Sequence, residues 1–156
     1  MELNLGDTAR DSITGFEGII QSRYIFINGC LQFSLRPRVD KDGKLQDAHS
    51  FDVSRLELVE QGTVRPTAVQ HSDTADFGDL VECEISGLRG IVVSKHYYFD
   101  GTIGYGVQPP ARDSAIPETS CLDSTTIKMI TTKKKAVRPN YTGGPMDVPL
   151  RRGPVE

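Results

Sequence analysis

Apolar residues along this chain alternate with polar ones in short runs, and no segment sustains the 3.6-residue spacing of an amphipathic helix. The clearest run, Ile19 to Ile27, leads into Asn28-Gly29 and continues from Cys30 to Leu35. A second, Ile91 to Phe99, leads into Asp100-Gly101 and continues from Thr102 to Val107. Asn-Gly and Asp-Gly between β-rich runs predict two-residue hairpin turns in which both central residues take positive φ. Shorter strands are predicted before each hairpin, from Asp7 to Ile13 and from Asp79 to Ile85. Variable loops follow, Arg38 to His49 with a turn at Asp42-Gly43, and Pro110 to Ser120. Each half then closes on a strand, Arg55 to Val59 or Thr126 to Ile130.

The two halves are one pattern written twice. Residues 6–37 fall without a gap on residues 78–109, an offset of 72. Identities stand at Gly6/Gly78, Asp7/Asp79, Ile13/Ile85, Gly15/Gly87, Gly18/Gly90, Ile19/Ile91, Ser22/Ser94, Gly29/Gly101 and Pro37/Pro109, nine in 32 positions. With one residue dropped the match resumes at an offset of 71, laying Phe51-Asp52 on Leu122-Asp123 and Leu58-Val59 on Met129-Ile130. Four of the identities are glycines, so what repeats is mainly backbone geometry. The predicted fold class is all-β, with two tandem SH3-like small barrels of four or five strands over residues 1–59 and 78–130. A polar, extended connector spans 60–77, and an extended basic Pro/Gly-rich arm spans 131–156. Units of about 55 residues bury only about 60% of their unfolded surface, so each is expected to pack on its twin or on a partner.

Composition narrows the class. At 37% hydrophobic and 25% charged residues the chain is ordinary globular material. No apolar stretch reaches the roughly 20 residues of a membrane helix, so no membrane partner is expected. The opening Met1-Glu2-Leu3-Asn4 lacks the basic and apolar parts of a secretory signal. A net charge of −3 disfavours broad nucleic-acid binding. Cys30, Cys83 and Cys121 occupy non-equivalent repeat positions, which predicts reduced thiols in a protein made in the cytoplasm rather than a disulfide framework.

Catalytic chemistry is not predicted. His49, His71 and His96 are far apart in sequence, and neither a Cys-x-x-Cys nor a His-x-x-x-His pair exists. Phosphate-loop, Gly-x-Ser-x-Gly and dinucleotide fingerprints are absent. The expectation is therefore no enzyme, no metal and no cofactor. Asp40-Lys41-Asp42-Gly43 lacks a glutamate at the twelfth position of a calcium loop and reads as a turn. Asp52 and Asp123 recur before the last strand of each copy, where a side-chain cap is expected. Strand alternation places one face of the aromatic runs in the core and the other on a partner, so Tyr97, Tyr98 and Tyr105 are partner-binding candidates. The arm supplies a second set, Lys133, Lys134, Lys135, Arg138, Arg151 and Arg152, suited to an acidic protein surface or to phosphates. Its prolines and glycines predict no structure of its own, so a partner is expected to hold it.

Ile13-Thr14-Gly15-Phe16-Glu17-Gly18-Ile19, followed by Arg23-Tyr24, Gly29-Cys30 and Phe51-Asp52, resembles small proteins encoded by tailed bacteriophages and prophages. The resemblance covers residues 5–59, and the second copy departs from it with Leu88 for the Phe and Thr102 for the Cys. Members of that family have a single copy, so the duplication and the arm are departures too. The resemblance implies a non-enzymatic SH3-like virion component, present in multiple copies on a symmetric assembly with major capsid or tail proteins as partners. Head decoration is the leading expectation, with tail, neck or baseplate behind it. A weaker resemblance to KOW- and Tudor-type modules, through Gly-Asp…Gly-x-x-Gly-Ile/Val, implies nucleic-acid binding as the competing reading.

Overall fold

The computed structural model of the protein describes residues 2–67 and 73–131. Each copy contributes five strands. They are β1 (Thr8–Asp11), β2 (Glu17–Phe26), β3 (Leu31–Arg36), β4 (His49–Asp52) and β5 (Leu56–Glu60) in the first. The second has β6 (Leu80–Cys83), β7 (Arg89–Tyr98), β8 (Ile103–Gln108), β9 (Ser120–Asp123) and β10 (Ile127–Thr131). Every pairing is antiparallel. Among the described residues there is no α-helix, only a three-residue 3-10 turn before β5 and another before β10.

The two ten-residue strands organise the rest. β2 pairs with β1 through its first half and with β3 along most of its length, and a register shift between Ile20 and Ser22 bends it. β7 repeats this against β6 and β8, with the shift between Val92 and Ser94. The second halves of β2 and β7 pair with each other, joining Ser22↔Tyr98, Arg23↔Tyr97, Tyr24↔His96, Ile25↔Lys95 and Phe26↔Ser94. A six-stranded sheet, β4-β3-β2-β7-β8-β9, therefore runs through both copies. Within a copy the order is β5-β1-β2-β3-β4, and β4 does not pair with β5, so the ring of hydrogen bonds is not closed into a barrel.

The register has a symmetry that the numbers make plain. Tyr24 and His96 are repeat equivalents, 72 apart, and they face each other. Pairs flanking them are equivalents of one another, Ser22↔Tyr98 matching Phe26↔Ser94. Outside the ladder Ile27 N donates to Val93 O at 2.8 Å, and its counterpart Phe99 N donates to Gln21 O at 2.9 Å. A pseudo-two-fold axis thus passes between Tyr24 and His96, so the copies associate as an isologous dimer does, inside one chain.

Each copy keeps its own core. Leu3, Ala9, Ile20, Phe33 and Leu35 form the first, while Ala75, Val81, Val92, Ile103, Tyr105 and Val107 form the second. Ala75 and Phe77, within the segment expected as connector, pack in the second core as Leu3 and Leu5 pack in the first. The other end of the connector is also held, with Gly62 N donating to Asp7 Oδ1 at 2.7 Å and Thr67 N to Phe99 O at 3.1 Å.

Both hairpins form, but with a different turn from the one expected. Phe26 N donates to Cys30 O and Gly29 N to Phe26 O, and only Gly29 of the pair has positive φ, at 88°. Asp100-Gly101 behaves alike, with Gly101 at 85°. These are three-residue loops ending on a left-handed glycine. Asn28 Oδ1 and Asp100 Oδ1 accept the amides of Cys30 and Thr102, which settles each side chain on the loop instead of requiring positive φ of it. Asp52 and Asp123 cap the 3-10 turns as expected, accepting from Ser54 N at 2.9 Å and Thr125 N at 2.8 Å. Gly90 marks a close approach of strands, because a Cβ there would stand 2.5 Å from Gln108 O. Gly90→Ala should therefore cost about 1–3 kcal/mol in urea denaturation, while Gly15→Ala, with open space around it, should cost only its backbone strain.

Candidate functional site

Three groupings of polar and aromatic side chains sit on this frame, and two lie on opposite faces of the sheet at the pseudo-dyad. Alternation after the bulges sends Ser22, Tyr24, Ser94, His96 and Tyr98 to one face and Arg23, Lys95 and Tyr97 to the other.

On the core side Asp73, from the segment expected as connector, packs against the sheet. Asp73 Oδ2 accepts from Lys95 Nζ at 2.9 Å and Tyr97 Oη at 3.2 Å, and its Oδ1 accepts from Tyr105 Oη at 2.7 Å. Tyr105 Oη in turn accepts the amides of Thr74 and Ala75. Burial works to lower the Lys95 pKa, but the Asp73 carboxylate outweighs it and raises it above the ordinary value. Asp73 moves the opposite way, its burial offset by Lys95 and Tyr105. The Arg23 guanidinium lies 4.7 Å above the centre of the Tyr97 ring.

The outer face carries the second grouping. The His96 ring is half-buried and stands edge-on to Tyr24, centroids 4.9 Å apart. His96 Nε2 is 2.9 Å from Ser94 Oγ, and Nδ1 is 3.2 Å from Cys121 Sγ and 3.4 Å from Tyr98 Oη. Tyr98 Oη is 3.5 Å from Cys121 Sγ. Burial lowers the His96 pKa below the ordinary imidazole value. Burial, and then Cys121, push the Tyr98 phenol above its usual range.

The third grouping belongs to the first copy alone. Phe16, His49 and Phe51, with Thr14, Gly15, Ser50 and Arg55, line a shallow concavity of about 520 Å³. Arg55, one of its lining residues, makes a bidentate pair, with Nε and Nη2 donating to the two oxygens of fully buried Asp11 at 2.9 and 2.8 Å. Arg55, together with the Thr14 hydroxyl and amide, holds the Asp11 carboxyl far below the usual range. The equivalent positions of the second copy are Cys83 and Thr126, with Leu88 and Leu122 in place of the phenylalanines. Hydrogen bonds from Ser86 pull the Cys83 thiol down to about 7.

The residues singled out in the sequence thus separate. Tyr97 and Tyr98 lie on opposite faces, and Tyr98 joins His96 and Cys121. Tyr105 is fully buried with its hydroxyl bonded internally, which removes it from any exposed patch. Lys133, Lys134, Lys135, Arg138, Arg151 and Arg152 lie outside the described residues. Sequence reasoning missed His96 with Cys121, Asp73, and the Asp11–Arg55 pair. The signal was in the internal alignment: Asp11/Arg55 become Cys83/Thr126 together, a paired change expected of side chains in contact. Among the described residues no three of His, Cys, Asp and Glu converge on a point, and no helix is long and apolar enough to cross a membrane. No protein-family model matches the chain, nor does a curated protein or a solved structure.

The buried pair gives an ordered prediction. Arg55→Thr leaves the Asp11 carboxylate buried without its cation and should lower Tm by several degrees, more than Asp11→Cys, which leaves half-exposed Arg55 free to reach water. The double change to the residues of the second copy should recover a large part of the loss, a coupling that a double-mutant cycle reads directly. The sign of the pH effect follows from the depressed Asp11 pKa. Wild-type stability from the pair is complete above the unfolded carboxylate value near 3.8 and falls as pH drops below it. The gap between wild type and Arg55→Thr should therefore be widest at pH 7 and begin to narrow as pH falls below about 4, as thermal melts from pH 7 to pH 3 would show.

Proposed function

We propose that the protein is a non-enzymatic structural component of a tailed bacteriophage particle, a head decoration or cement protein built as two SH3-like barrels. Support for the barrel reading comes from the order β5-β1-β2-β3-β4, repeated in each copy with a 3-10 turn between the last two strands. That arrangement curls one meander around one small core, leaving a seam where β4 turns into β5.

The observation that carries the functional reading is the pseudo-dyad. Fusing two copies about a two-fold axis presents the same loops twice, on opposite sides of the chain. Each copy exposes an isoleucine at the turn after its first strand, Ile13 at 73% and Ile85 at 82%. Such residues gain nothing in the free chain, and two of them at equivalent places make a divalent contact. On a symmetric particle surface the second contact forms at the effective concentration set by the first, so two weak sites give firm attachment. The arm over 131–156, with its six cations, is proposed as a third point of attachment to an acidic surface of a neighbouring virion subunit.

Co-sedimentation with purified particles tests this. The full chain should pellet at a fixed ratio to the major subunit. Ile13→Ser or Ile85→Ser should weaken binding mildly, while the double variant or removal of residues 132–156 should weaken it at least about ten-fold. A chain that stays in the supernatant and instead binds DNA or RNA with a steep salt dependence would overturn the proposal in favour of a nucleic-acid module. Density for the bound chain at the tail, neck or baseplate would keep the structural role and overturn head decoration.

A further inference from the structure

Cys121, His96 and Tyr98 come from three positions on two strands that are not neighbours, β7 and β9, with β8 between them. Their donor atoms nevertheless form a triangle with edges of 3.2, 3.4 and 3.5 Å, from Sγ to Nδ1, Nδ1 to Oη and Oη to Sγ. A tetrahedral ion with bonds of about 2.0–2.3 Å to sulfur, nitrogen and oxygen requires ligand edges of roughly 3.3–3.6 Å, so the two edges to Tyr98 Oη fit as they stand while the shorter Sγ–Nδ1 edge must open by roughly 0.3 Å to admit the ion. We propose that these three residues form a binding site for one divalent ion of the zinc class, with water in the fourth position.

Four features of the surroundings bear on this. The other nitrogen of the ring, Nε2, is 2.9 Å from Ser94 Oγ, a hydroxyl able to accept from Nε2–H in the tautomer that leaves the Nδ1 lone pair for an ion. Tyr24, from the other copy, stands edge-on at 4.9 Å and holds the ring from the side. On β8, Gly104 lies between the donors, where a Cβ would stand 3.0 Å from Cys121 Sγ and 3.3 Å from the Tyr98 ring. A side chain there would press directly on two donors. Finally, Cys121 is exposed, so an ion and its water have a path in.

The first copy is an internal control. Its equivalents of His96, Tyr98, Cys121 and Gly104 are Tyr24, Phe26, Ser50 and Gln32, which include neither nitrogen nor sulfur ligand. Ser94, by contrast, keeps its counterpart Ser22, whose Oγ lies 2.9 Å from Tyr24 Oη. The same strand frame thus carries two different outer faces, and only one has a donor set. Coordination would displace the thiol proton of Cys121 and tie β9 to β7 across β8. The site stands independently of the virion reading.

Cobalt(II) is the probe, because a tetrahedral cobalt–thiolate site absorbs strongly in the visible and near ultraviolet while zinc is silent. The reduced, chelator-treated full chain should take up one equivalent of Co²⁺ with a thiolate-to-metal band, and one equivalent of Zn²⁺ should bleach it. Cys121→Ser and His96→Tyr introduce the residues the first copy carries at those places, so both should fold, and both should lose the band. Ser94→Ala should keep the band and weaken binding about ten-fold, while Tyr98→Phe, which removes a ligand, should keep the thiolate band and weaken binding by more than Ser94→Ala does. Cys30→Ser and Cys83→Ser should leave it unchanged. Absence of a thiolate band in the full chain, or a band that follows Cys30 or Cys83 instead of Cys121, would overturn the proposal.

Discussion

The pairing of β2 with β7 is the constraint on which the rest of the molecule depends. Each strand is ten residues long, but its own copy supplies neighbours on both edges only for the first half. Without a partner the second half would present a row of unpaired amides and carbonyls, and an unprotected edge of that kind recruits other strands. Here each edge protects the other. Because the axis is perpendicular to the shared sheet, both cores end up on the same face, with Arg23, Tyr97 and Lys95 between them. The opposite face carries Tyr24, His96, Tyr98 and Cys121.

Duplication made the two halves equal, and each then met its local needs differently. Phe33 fills the first core with hydrocarbon, while its equivalent Tyr105 brings a hydroxyl that a buried site must satisfy. Asp73 and the Thr74 and Ala75 amides do so, and Asp73 also answers the ammonium of Lys95. Residues 73–77 of the expected connector are consequently part of the second copy's core. The same logic separates Asp11–Arg55 from Cys83–Thr126. A buried carboxylate requires its guanidinium, whereas a thiol satisfied by Ser86 does not.

What could be read from the sequence was what local rules control. The hairpins, the glycines at bends and the Asp52 and Asp123 caps depend on residues a few places apart, and they were legible. The turn type was not, because Asn28 had a second way of serving the loop, through its side chain. Strands β4 and β9 begin at the last residue of each variable loop and run into the stretch before the closing strand, where no strand is predicted. They are four residues long, pair on one side only, and lack an apolar alternation. The outer-face cluster escaped for a different reason. His96 and Cys121 are 25 residues apart, and what unites them is the register of β7, β8 and β9, which no local pattern encodes.

A dimer of identical copies could not have built that cluster at the dyad. Two-fold symmetry would set His96 against another His96, and the ring would meet its own twin where it now meets Tyr24. Fusion in one chain lifts the restriction. One copy can supply an aromatic wall and the other the nitrogen, oxygen and sulfur donors, while the backbone register stays symmetric. Gly104 leaves the space beside Cys121 and Tyr98 open, at a position where the first copy carries Gln32. Symmetric backbone and asymmetric side chains are therefore separate outcomes of the same duplication, the first pairing β2 with β7 and the second gathering His96, Tyr98 and Cys121 on one copy.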